Sequence, residues 1–193
     1  YLFYIYFIFI LYIMTVKCPR DDVNFVLTHK KHCNDYSVAE NDDLRNRKVK
    51  SCNDLIYPIF LIDGKGRKQP VKTMPGVNRY SIDQLGTIVN NIIKNKIPAV
   101  ALFPSTPDNK KDKFGTEALN EDNLVCRAIR FIKKRFKDKI GIMTDVALDP
   151  YTNHGHDGLF KNNYIINDET VDILVKQSLL QAQMGCDVIA PSD

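Results

Sequence analysis

The sequence predicts an α/β fold built on a parallel sheet. Three observations lead there. Four short apolar runs, "LIYPIFLID", "IPAVALFP", "IGIMTDVAL" and "CDVIAP", are spread over residues 55–191. Three segments between them repeat their apolar residues at helical spacing. The apolar runs are nearly continuous rather than alternating, as in strands covered on both faces.

Each element has its own justification. "LIYPIFLID" ends at Gly64 and reads as a strand, with "DGKGR" as the turn after it. That turn fits neither nucleotide-binding glycine fingerprint and no helix pattern follows it directly, so it reads as a plain turn. Ser81 with Gln84 three residues later forms a capping-box pattern that opens the first helix. Leu85, Ile88, Val89, Ile92 and Ile93 give that helix one apolar stripe. "IPAVALFP" is a buried strand, and residues 105–118 read as loop. Leu124, Ala128, Ile129, Ile132 and Phe136 mark the second helix, and "IGIMTDVAL" the third strand. Asn167 is the expected cap of the third helix, with Val171, Leu174, Val175, Leu179 and Ala182 on its inner face and Gly185 as its stop. "CDVIAP" is the fourth strand. The order βαβαβαβ fits an open doubly wound sheet or a (β/α)8 barrel, of which four strands are half.

Charge and cysteine content narrow the function classes. Net charge is +4, and it is +2 both in residues 17–50 and in residues 51–193. That balance argues against a nucleic-acid groove, and the lysines of 110–113 and the "KKRFKDK" stretch read as solvated faces. The five cysteines, at 18, 33, 52, 126 and 186, include no Cys-x-x-Cys pair. A disulfide framework or a cysteine zinc site is not expected, and Cys126 and Cys186 read as small buried hydrophobes.

The N-terminal part is different in kind. Residues 1–16, "YLFYIYFIFILYIMTV", carry no charge. They are short for a membrane span and read as a signal-like segment. Residues 17–52 are polar, without apolar period, and read as a disordered leader or arm. The two together suggest delivery to a plastid-type organelle, an apicoplast or chloroplast, although six acidic residues are many for a transit segment. The alternatives are a membrane-anchored N-terminus and a cytoplasmic protein. Residues 53–193 are the expected folded domain.

The polar residues cluster where parallel α/β folds do their work. Asp145 closes the third strand, and Ser192 and Asp193 close the fourth, so they face one mouth. The stretch "TDVALDPYTNHGHDG" adds Asp149, His154, His156 and Asp157. The His-x-His pair raises a zinc-hydrolase reading, but it lies in a glycine-containing loop beyond the strand, so the loop reading is preferred. Asp149 and Asp157 offer oxygen ligands of the kind magnesium takes, or hydrogen bonds within the loop.

"TDVALDPYTNHGHDG" closely resembles the signature of the porphobilinogen synthase family, also called delta-aminolevulinic acid dehydratase. "LIYPIFLIDG", "MPGVNRYSIDQL", "VALFP", "GTEALNEDNLVCRAIRFIK", "NDETVDILVKQSLLQA" and "APSD" match it in order over about residues 53–193. The resemblance implies a (β/α)8 TIM barrel with about its first four βα units in this chain. The implied reaction condenses two 5-aminolevulinate molecules into porphobilinogen in tetrapyrrole synthesis, in a homo-oligomer that is commonly an octamer with N-terminal arms. "RNRKVK" alone matches the start of such an arm. Asp145 matches the family's active-site aspartate, and Ser192 a serine that contacts substrate. Ala147, Asp149 and Asp157 match three positions that carry zinc-binding cysteines in one branch, so the resemblance points away from zinc and to the magnesium-type branch. The family's two Schiff-base lysines and its allosteric magnesium site belong to a part of the barrel that follows Asp193, and no lysine in residues 53–193 matches either lysine. Three expectations follow: the chain is an incomplete record of the enzyme, alone it is inactive, and exposed strand edges make it prone to associate. The remaining alternatives are a non-catalytic subunit or regulator, and the metal-dependent hydrolase.

Overall fold

The computed structural model describes residues 52–192. Along them run β1 (Ile56–Ile62), β2 (Lys68–Pro70), β3 (Asn78–Tyr80), α1 (Leu85–Lys94), β4 (Ala99–Ser105), α2 (Leu124–Phe136), β5 (Gly141–Val146), β6 (Phe160–Lys161), β7 (Tyr164–Ile165), α3 (Asn167–Gln183) and β8 (Val188–Pro191). The leader, its targeting role and the arm lie outside the described residues. So do Cys18, Cys33 and Asp193.

The long strands form one parallel sheet in chain order, β1, β4, β5, β8. Each consecutive pair is joined by one helix. Right-handed crossovers between adjacent strands place all the connecting helices on one face. A doubly wound sheet needs a reversal of strand order to put helices on both faces. The four long strands have none, and their unbroken succession is that of consecutive strands in a barrel.

Side-chain alternation divides the sheet into two faces. Ile59 and Leu61 of β1, Val100 and Leu102 of β4 and Ile142 of β5 face the helices, where they pack with Leu85, Val89 and Ile92 of α1 and Ala128, Ile129 and Ile132 of α2. Phe60 and Phe103 are register partners on the opposite face, and their rings stack at 5.6 Å. That opposite face becomes the inside of the barrel. Met143 and Asp145 of β5 lie on it, because Ile142 and Thr144 are turned to the helices.

Several local details differ from the sequence reading. Ser81 makes no cap. Its Oγ accepts from the Arg67 N–H at 2.9 Å, and Gln84 Nε2 donates to Asp83 Oδ2, so the entry to α1 is a 3-10 turn over Ile82–Gln84. Asn167 is the first residue of α3 rather than its cap, which is Ile166 without a side-chain bond. The loop over 105–118 contains a 3-10 turn at Asp108–Lys110 and the start of another at Thr116–Leu119. The expected inner face of α3 is also corrected. Val171, Val175 and Leu179 are exposed, as is Ala182, and Leu174 is half-buried. Thr170, Gln177, Leu180 and Gln181 are the buried residues. The sheet end that α3 covers offers backbone carbonyls and a threonine hydroxyl, which two glutamines satisfy and aliphatic chains cannot. Four short strands were not foreseen. β3 pairs parallel to β1 at Phe60–Arg79 and Leu61–Tyr80, with β2 antiparallel on its outer side, and β6 and β7 make a separate hairpin.

The expected cysteine behaviour holds for Cys126, which is fully buried and whose thiol burial pushes up to about 11. Among the described residues, no helix is long and apolar enough to cross a membrane.

Candidate active site

The site begins with the end of β5. Asp145 pairs in register with Ala190 of β8, so Ser192 stands two residues further on the same face. Ser192 Oγ donates to Asp145 Oδ1 at 2.7 Å, and the Ser192 N–H donates to the Val146 carbonyl at 3.4 Å. The two residues singled out from neighbouring strand ends therefore meet directly. Burial raises the Asp145 pKa above the ordinary carboxylate range, against the pull of the Ser192 hydroxyl and the Val146 N–H, and the nearby charge of Asp157 raises it further. With Oδ1 engaged by Ser192, a carboxyl of raised pKa can hold or pass a proton through Oδ2.

The segment after β5 builds one wall. Leu148 and Tyr151 are buried with Ala118 in a small cluster under Ile173 and Leu174 of α3. Tyr151 and Thr152 donate their N–H groups to the Leu148 carbonyl, which turns the chain, and Asp112 and Thr152 form a bridge that ties this turn to the loop after β4. Asp149 is carried on this turn. Burial first, then the charges of Asp157 and Asp145, push its pKa up to about 6, with Lys111 opposing. Asp145, Asp149 and Asp157 are thus within electrostatic reach of one another. Ala147 is buried and offers no ligand side chain.

The two histidines are bound up in the loop itself. His154 Nε2 lies 3.3 Å from the Lys113 carbonyl, an acceptor, so this nitrogen carries the hydrogen. His154 Nδ1 accepts from the His156 N–H at 3.2 Å. Both His154 nitrogens are occupied, and the His156 ring stacks on Phe160 at 4.8 Å. Among the described residues, no three His, Cys, Asp or Glu side chains are grouped to hold a metal ion. The zinc-hydrolase reading would need the His154 ring nitrogens that the bonds to Lys113 and His156 already engage.

At the β1 end, Arg127 of α2 reaches Asp63 Oδ1 at 3.0 Å, and Lys110 bridges Asp63 at 3.8 Å and Glu117 at 3.2 Å. The Arg127 hydrogen bond, against some burial, holds the Asp63 carboxyl below its ordinary value. The "DGKGR" turn remains a turn. Gly66, in the left-handed region, gives its N–H to the Asp83 carboxylate.

The pattern of the family described as Delta-aminolevulinic acid dehydratase matches residues 31–193. The chain belongs to the delta-aminolevulinic acid dehydratase family. A dehydratase of this name from Bradyrhizobium diazoefficiens is 52% identical over 145 residues, 75% of this chain and 41% of the relative. A chloroplastic one from Selaginella martensii is 40% identical over 171 residues, 86% of this chain and 40% of the relative. The crystal structure of the Toxoplasma gondii delta-aminolevulinic acid dehydratase (porphobilinogen synthase), in complex with its reaction product porphobilinogen, is 32% identical and superposes with a TM-score of 0.73 over 93% of this chain and 47% of that one. The chain spans less than half the length of these dehydratases, and its fold is the corresponding part of the dehydratase barrel.

Sequence reading missed Gln177 and Gln181. Gln181 Oε1 accepts from Thr144 Oγ1 at 2.7 Å and its Nε2 donates to the Asp145 carbonyl at 3.1 Å. Gln177 Nε2 donates to the Ala147 carbonyl at 3.3 Å. The sequence carries no signal for them: two amides four residues apart on a helix read the same whether they face the sheet or water.

Proposed function

We propose that the protein to which these residues belong is a porphobilinogen synthase, condensing two 5-aminolevulinate molecules into porphobilinogen with loss of two waters. The observation that carries this reading is the Asp145–Ser192 pair on the inner face of the barrel strands, in a chain of the dehydratase family. The reaction joins carbonyl and amine groups and expels water, so it needs groups that orient an amine and exchange protons with it. Asp145, buried and with a raised pKa, takes the proton-exchanging role. Ser192 fixes one carboxyl oxygen and turns the other toward substrate. The Schiff-base lysines and any magnesium the protein uses are supplied from outside residues 53–192. The assembly is a homo-oligomer, commonly an octamer in this family.

The same reading places the protein in a plastid-type organelle. It rests on the charge-free segment over residues 1–16, the polar segment after it, and plant relatives described as chloroplastic. A fluorescent protein carrying residues 1–50 is expected in that organelle, and a diffuse cytosolic signal contradicts it. For the chemistry, the full-length protein given 5-aminolevulinate is expected to form porphobilinogen, one per two substrates consumed. Substrate bound and left unchanged would reject the assignment.

A further inference from the structure

Helix α3 breaks the usual rule for a helix lying on a sheet. Its exposed side carries Val171, Val175 and Leu179, and its buried side carries Gln177 and Gln181, only 1% and 2% exposed. Buried amides are unfavourable unless their bonds are made, and a local rule broken in this way marks a place where function outweighs packing. The bonds go to one stretch of backbone. The register between β4 and β5 ends at Leu102 and Thr144, so Asp145 lies one residue past it. There Gln181 grips both sides of the Thr144–Asp145 peptide unit, accepting from the Thr144 hydroxyl and donating to the Asp145 carbonyl. Gln177, one turn earlier, holds the Ala147 carbonyl two residues on. Its Oε1 is buried without a partner, so only the amide nitrogen of this side chain is satisfied.

We propose that Gln181, assisted by Gln177, is the positioning residue of Asp145. It fixes the strand end from the helix side so that the carboxyl is held on the opposite face, against Ser192 and towards Asp149 and Asp157. Neither glutamine touches substrate; each acts through the Asp145–Ala147 backbone. The role in turnover rests on the dehydratase reading above, whereas the positioning itself does not.

The test uses the full-length protein. Gln181→Met keeps the side-chain length and removes both bonds. By carboxyl 13C NMR, the Asp145 titration midpoint of the folded variant is expected to fall by about half a pH unit or more, because a loosened strand end admits water to a carboxyl whose midpoint burial holds up. In turnover, kcat is expected to fall about tenfold with KM changed less than about twofold, as for a group acting only on the reacting step. A folded variant whose Asp145 midpoint stays within about 0.1 of the parent's overturns the proposal, as does an unchanged kcat. Should Gln181→Met not fold, the unaltered chain still decides: the Gln181 side-chain amide protons are expected to inflect at the Asp145 midpoint, and a flat trace overturns the proposal. If the unaltered protein makes no porphobilinogen, the functional reading fails while both NMR readouts still judge the positioning.

Discussion

At the scale of single residues, burial governs two carboxylates at the end of β5, Asp145 and Asp149. The folded pKa of Asp149 is about 6, above its ordinary 3.8. The folded chain therefore holds this proton more tightly than the unfolded chain does. The stability linked to it is full below about pH 4 and is lost as pH rises through about 6, amounting to about 3 kcal/mol at most. Asp149→Asn removes the titration. It is expected to unfold at higher urea than the parent at pH 7.5 and to match it near pH 4; an equal gain at both pH values contradicts the account. Ser192→Ala tests the neighbouring pair. The Ser192 hydroxyl favours the ionised Asp145, so its loss is expected to raise the Asp145 midpoint in a carboxyl NMR titration. The meeting of Asp145 and Ser192 was legible in the sequence, because each ends an apolar strand run and parallel neighbours share a mouth. The glutamines were not legible: a polar residue facing inward gives the same letters as one facing water, and only the carbonyls opposite it tell them apart.

At the scale of elements, α2 followed the sequence closely and α3 did not. The apolar stripe of α2 is its buried face, and Asn123 caps it by accepting from the Cys126 N–H at 2.8 Å. Asn123 also donates to the carbonyls of Glu117 and Ala118. Asn123→Ala is expected to lower stability by about 1–2 kcal/mol in denaturant unfolding. In α3 the stripe that periodicity selects is the exposed one. Val175→Asp is therefore expected to change stability by less than about 0.5 kcal/mol, whereas Leu180→Ala, at a buried position, costs about 2–3 kcal/mol. A large loss from Val175→Asp in the monomer would restore the original inner face. The short strands β2, β3, β6 and β7, of two or three residues each, are below the length at which alternation can be read.

At the scale of the whole molecule, the four long strands and their crossover pattern came from the sequence, and the choice between barrel and open sheet came from strand order. Apolar runs and helical stripes are local. The neighbour of each strand is not, and β1, β4, β5, β8 in unbroken succession is what selects the barrel. The same succession brings Asp145 and Ser192, 47 residues apart, to adjacent strand ends. The central claim is that this pair belongs to the reacting centre of a porphobilinogen synthase. It is tested most directly by the rate of porphobilinogen formation from 5-aminolevulinate in the full-length protein with Asp145→Asn, beside the unaltered protein and with folding checked by circular dichroism. The account predicts a fall in kcat of about a hundredfold or more, the scale of a lost proton-exchanging group. A folded Asp145→Asn protein that turns over at the parent rate would contradict it.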